Sequence, residues 1–198
     1  IERAETALLM GQLTNGLNAV QNAVDLSSAV SDRALKGKAI IALANVLIRL
    51  GMLDEAARRL ADATALSHAI GRHDLRRLSH ALRAWVTLDQ QPRSRAAAAS
   101  AVDRILPMLS GADGRGRQPE DALLYAILGR ASAVLGDVAT YRKASTKALE
   151  WSEHVQPALG MGVRLQLARG ALVLRHVEQT PTLARDVLSK RETYPLLA

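Results

Sequence analysis

The chain of 198 residues contains no cysteine and no phenylalanine, and aromatic residues make up only 3% of it. The lack of cysteine excludes disulfide staples, thiolate metal ligands and a cysteine nucleophile. It suits a reducing compartment, so the expected location is the cytoplasm. The lack of aromatics means that any core must be aliphatic. No apolar run approaches the roughly 18 residues of a membrane helix, and nothing at the start resembles a signal peptide. No membrane partner is expected. Runs of Val, Ile, Thr and Tyr at period two are also missing, which argues against sheet.

Hydrophobic residues, by contrast, reach 48%, mostly Leu, Ala, Val and Ile. Ala and Leu are strong helix formers. The net charge is +7, but the basic residues form no dense run. A solvated basic surface explains this, and so does an acidic partner. Binding of single-stranded nucleic acid wants a basic stripe interleaved with stacking aromatics. Trp85, Trp151, Tyr125, Tyr141 and Tyr194 are scattered instead, and helix packing accounts for them. Direct nucleic-acid binding is not expected.

Helical periodicity runs almost throughout. It predicts helices over 1–13, 17–30, 33–50, 53–70, 74–90, 91–106, 119–135, 138–155, 158–176 and 181–192. Thr14–Gly16 reads as a turn. Ser31 and Asp32 offer an N-cap, while Gly51, Gly71 and Gly136 end their helices. Asp74 caps the fifth helix and leaves His73 outside it. Pro92 is expected in the first turn of the sixth and Pro107 at its end or at a kink. Residues 110–118 form the one flexible loop. Turns near 15, 51, 90, 136 and 178 repeat at intervals of about 35 to 45 residues, the mark of stacked helical hairpins. Ile1 stands where an initiator methionine would, so 1–198 is expected to be a single repeat domain from a longer protein.

The stretch RLGMLDEAARRLADATAL, Arg49 to Leu66, carries alanine at 56, 57, 61, 63 and 65. Small side chains at crossing points let two helices approach closely. This pattern resembles the tetratricopeptide repeat (TPR). With Gly51 at the family's turn glycine, Leu43 and Ala44 fall on the Leu and small positions of the first helix. Ala56, Leu60 and Ala63 then fall on the small, large and small positions of the second. With Gly136 placed the same way, Tyr125, Leu128, Gly129 and Ala148 match the aromatic, Leu, Gly and final Ala positions. Tyr141 departs from the pattern, standing where alanine is usual, and neither repeat has the closing proline. The longer interval is similar to the degenerate repeats of bacterial LuxR-type and MalT-type regulators. The resemblance implies an all-α, right-handed solenoid of about five antiparallel hairpins. It also implies a protein- or peptide-interaction scaffold in a bacterial signalling or transcription-regulating protein. The alternative is a ligand- or peptide-sensing domain that controls an attached effector.

No reaction centre stands out. The glycines of GADGRG follow no strand, so they do not read as a phosphate loop. His73 and His80 lack further ligands at metal spacing. No serine sits in a nucleophile elbow. The chain is therefore expected to be no enzyme and to need no metal or cofactor. Lys38, Asn45 and Arg49, at i, i+7 and i+11, share one helical face. The resemblance places them on the concave groove, with Arg130 and Arg169 at positions equivalent to Asn45. Such a wall suits the carboxylates of an acidic peptide, of a protein partner or of another domain of the same chain. The competing reading is a set of solvated polar positions without a ligand.

Overall fold

The computed structural model describes residues 12–110, 118–153, 155 and 157–174. Among these there are eight α-helices and no strand. They are α1 (Leu13–Ala29), α2 (Arg33–Arg49), α3 (Leu53–Ala69), α4 (His73–Gln90), α5 (Arg95–Leu109), α6 (Pro119–Leu135), α7 (Val138–Ser152) and α8 (Pro157–Val173). The expected helices over 1–13 and 181–192, the turn near 178 and residues 111–117 of the loop lie outside the described residues, apart from the last positions of the first helix.

The first four helices begin at Leu13, Arg33, Leu53 and His73, one every 20 residues. Each of the first three is 17 residues long and is followed by a three-residue turn. The middle residue of that turn is left-handed: Ser31 (φ 58°), Gly51 (74°) and Gly71 (67°), with Gly136 (84°) repeating it after α6. A left-handed residue lets the next two N–H groups turn back onto the carbonyls that a helix end leaves open. At Gly51 these bonds are Gly51 N to Ile48 O (3.1 Å) and Met52 N to Leu47 O (2.9 Å). The pattern recurs at Gly71 and Gly136, where Arg72 N reaches Ser67 O (3.0 Å) and Asp137 N reaches Ser132 O (2.9 Å). Side-chain caps start the following helices. Asp32 accepts from Ala34 N and Leu35 N at 2.9 Å, and Asp137 accepts from Thr140 N at 3.0 Å.

Four expectations about boundaries need correction. Thr14–Gly16 is not a turn but the first turn of α1, where Gly16 N donates to Gln12 O at 2.8 Å. A turn-prone tripeptide is tolerated there because a helix start needs no preceding hydrogen bonds. Pro92 lies outside α5, whose cap is Ser94, accepting from Ala97 N at 3.2 Å. The serine supplies a side-chain acceptor that proline lacks. Pro107 neither ends α5 nor falls beyond it; the helix continues to Leu109. The hydrogen bond that proline removes is thus confined to the last turn. His73 is the first residue of α4 rather than outside it, and Arg76 Nη2 lies 3.0 Å from its Nδ1.

The chain contacts group into two compact units, with the division between Val86 and Thr87, inside α4. In the first unit α2 packs against α1 and α3. Ala39, Ala44, Ala56, Leu60 and Ala63 are fully buried, so Ala56 and Ala63 of the stretch Arg49 to Leu66 lie in the core, whereas Ala57 is half-buried and Ala61 and Ala65 are exposed, on the face of α3 that needs no close approach. Gly37 belongs to the same seam: a methyl group there would come within 3.1 Å of Leu75. In the second unit α6 is the central helix, in contact with α5, α7 and α8. Every residue from Asp121 to Ala133 is buried. Packing of α6 against both α7 and α8 sets a helix beside its hairpin partner and beside the first helix of the next pair. Trp85 and Trp151 are both buried, consistent with packing roles.

Candidate functional site

Helix α2 is apolar on nearly all sides. From Ala39 to Ile48 only Ala42 and Asn45 retain appreciable access to solvent. Lys38 is exposed and Arg49 half-buried. Lys38, Ala42, Asn45 and Arg49 therefore form a single accessible line along a helix that is otherwise covered from Gly37 to Ile48. The two cationic positions are 11 residues apart, about 16 Å along the axis. Asp32 caps the helix start and Arg49 lies in its last turn, where a cation complements the dipole. This face is the one on which the spacing places Lys38, Asn45 and Arg49.

Arg130 sits elsewhere. It is 3% exposed, in the middle of α6, and all of its described contacts are internal. Its Nη1 donates to Asp89 Oδ1 at 2.5 Å and to Gln166 Oε1 at 2.7 Å, and its Nη2 donates to Leu88 O at 2.8 Å. Arg169, from α8, pairs with the same Asp89 oxygen while keeping 38% of its side chain exposed. One carboxylate thus serves two guanidinium groups, and the cluster ties α4, α6 and α8 together within the second unit. Burial pulls the Arg130 guanidinium below its ordinary value. The Asp89 charge and hydrogen bond oppose that pull, and the nearby Arg169 adds to it. Arg130 remains a cation all the same, as arginine does in proteins. Its fork is used within the protein, so it presents no open wall to a ligand.

Asp89 and Gln166 are the members of this cluster that the sequence reading passed over. Each carries a signal in hindsight. An acid in the last turn of a helix opposes the dipole, which implies a specific partner. Gln166, wholly buried, is the one uncharged polar side chain in the run RLQLA, and a buried amide needs a partner of its own. Among the described residues, no group of three or more His, Asp or Glu side chains is placed to hold a metal ion. No helix among them is long and apolar enough to cross a membrane.

Tyr141, the departure from the repeat pattern, is 1% exposed. Its hydroxyl donates to Leu167 O at 3.3 Å, and its ring packs with Ala133, Ala171 and Leu174. Gly170 makes the space: a methyl group there would lie 2.9 Å from the Tyr141 ring and 3.3 Å from Arg130 Cα. A large residue on α7 is thus matched by the smallest one on α8. Burial also raises the pKa of the phenol.

Comparison with known proteins agrees with this architecture. No family model matches the chain, and no curated protein matches its sequence. In structure it is similar to a kinesin light chain-like protein of Podosopora anserina built from nearly identical TPR-like repeats. Two crystal structures of that protein, one of a point variant, each superpose with a TM-score of 0.61 at 16% identity. The match covers 97% of this chain and 93% of that one. The fold is accordingly that of a TPR-like helical repeat protein.

Proposed function

We propose that the chain is a non-enzymatic protein-interaction scaffold that holds an acidic peptide segment along α2. The observation that carries this reading is the line Lys38–Ala42–Asn45–Arg49, the accessible strip on a helix buried elsewhere along its middle. Small Ala42 leaves the strip open at its centre. Asn45 can both donate to and accept from a peptide backbone, and Arg49 can engage a carboxylate in bidentate fashion. An extended segment rises about 3.3 Å per residue, so the about 16 Å strip matches two carboxylates about five residues apart.

The wider setting belongs to the same proposal. An interval near 40 residues is similar to the repeats of bacterial LuxR-type and MalT-type regulators. It supports a place in a cytoplasmic regulatory or signalling protein, where this domain passes a binding event to an attached transcription-regulating domain. The occupant is then a protein partner or another segment of the same chain.

The test is a titration with a fluorescently labelled acidic peptide lacking large apolar residues. Lys38→Ala and Arg49→Ala are each expected to weaken binding severalfold, and added salt to weaken the parent's binding. Parent-like affinity in the double variant would refute the assignment. Arg130 is a poor test position because its replacement disturbs the interior.

A further inference from the structure

A second surface lies in the second unit, between α5, α6 and α7. It is a groove of about 340 Å³. Its apolar floor and wall are Leu106, Leu109 and Leu128, with the ring of Tyr125. Leu106 is 48% exposed, an unusual state for a leucine that borders a concavity. Lys143 and Lys147 stand on the rim, four residues apart on α7 and therefore on one face. Among the described residues no acidic side chain lines the groove. Lys143 is exposed.

Two like charges at i, i+4 oppose helix formation by about 0.2–0.5 kcal/mol. Lys147 is held in place. Its Nζ lies 5.2 Å from the Tyr125 ring centroid and 3.4 Å from the Tyr125 hydroxyl. The Tyr125 ring is fixed in turn by Trp151, edge-on at 5.2 Å and 89°. One ammonium is thus pre-positioned over an aromatic wall while the other is free to follow a ligand. An apolar slot with a cationic rim recognises an aliphatic side chain with a carboxylate beside it.

We propose that this groove is a second binding site, which takes an aliphatic residue flanked by an acidic residue in a peptide of a partner protein. The volume fits one large aliphatic side chain with its backbone. The groove is partly open to solvent, so a chain can enter and leave it. A free aliphatic carboxylate would leave much of its surface wet there, whereas small-molecule sites enclose most of their ligand. The site shares no residue with the α2 strip and does not depend on it.

The experiment uses the 198-residue chain and a short fluorescein-labelled peptide carrying leucine–glutamate pairs, with a twin carrying leucine–glutamine. Binding is followed by anisotropy, and folding of each variant by circular dichroism. The leucine–glutamate peptide is expected to bind more tightly than its twin. The double variant Lys143→Gln, Lys147→Gln is expected to weaken it about three- to tenfold, as two partly exposed ion pairs would. Leu106→Asp, at an exposed position, is expected to abolish the preference for leucine over alanine at the same peptide position. Lys38→Ala with Arg49→Ala should leave these differences intact, which separates this site from the α2 strip. Equal affinity of the two peptides, or of the parent and the lysine double variant, would overturn the proposal. Displacement of the peptide by hexanoate at matching concentration would overturn the choice of occupant.

Discussion

Because Asp89 accepts from both Arg130 and Arg169, the order in which these groups are removed decides the outcome. Removing one partner of a buried pair leaves an uncompensated charge and costs about 3–5 kcal/mol, whereas replacing the pair with apolar groups is often nearly neutral. Asp89→Ala strands Arg130, which has 4% of its side chain exposed. Arg169, 38% exposed, can turn to water. Asp89→Ala is therefore expected to lower stability by about 3–5 kcal/mol. Adding Arg130→Met should recover part of that loss, since the stranded cation is gone. Urea unfolding of the parent, the two single variants and the double variant measures this. A double variant no more stable than Asp89→Ala would show that the pair's charge is not what the site must satisfy.

Element scale shows what spacing reveals and what it conceals. Alanine spacing and turn glycines located α2, α3 and α6 to within a residue and α7 to within three, because close packing and left-handed turns each demand particular residues. The 20-residue module was harder to see, because one of its turns carries serine where the others carry glycine. Ser31 sits at φ 58°, a region that costs a residue with a Cβ roughly 1 kcal/mol or more. Ser31→Gly is expected to raise stability by about 0.5 kcal/mol once the greater freedom of glycine in the unfolded chain is deducted. A lower thermal midpoint would contradict that account. The two packed glycines of the second unit make a sharper comparison. Family resemblance singles out Gly129, yet a methyl group there would meet Leu167, Ser145 and Ala144 at 3.5–3.7 Å, ordinary contact distances. Gly170, which no pattern marked, has Tyr141 at 2.9 Å. Alanine in a helix gains up to about 1 kcal/mol over glycine, while overpacking costs about 1–3 kcal/mol. Gly129→Ala should thus be neutral or stabilising and Gly170→Ala destabilising. If urea midpoints reverse that order, the α6–α8 contact is not limited by Tyr141. The candidate site was legible to the same degree. Lys38, Asn45 and Arg49 share a face because spacing alone sets it. Arg130 lay beyond reach because its burial depends on Asp89, 41 residues away in sequence.

At the scale of the whole molecule, several helix-start and ion-pair carboxylates share one titration. Glu55 is held below the ordinary carboxylate range by its hydrogen bond from Arg58, Asp74 by that from Arg72, and Asp137 by its cap on Thr140. A carboxyl group with a lowered folded-state value stabilises the fold above its unfolded value, about pH 4, and loses that contribution as pH falls through the folded value. The thermal midpoint is therefore expected to be flat from pH 7 to 5 and to fall below about pH 4. Protonation also lifts the net charge above its neutral-pH value of +7, and self-repulsion acts in the same direction. Salt separates the two causes. At 0.1 M the screening length is about 10 Å, enough to mute repulsion between distant surface charges but not a 3.0 Å cap bond. An acid-induced fall that persists in salt comes from the caps and pairs. Asp137→Asn sharpens the point, because asparagine caps about as well as aspartate but does not titrate. That variant is expected to lose less between pH 5 and 3 than the parent does. A midpoint that stays level to pH 3, or a variant whose fall matches the parent's, would separate the helix starts from the acid response.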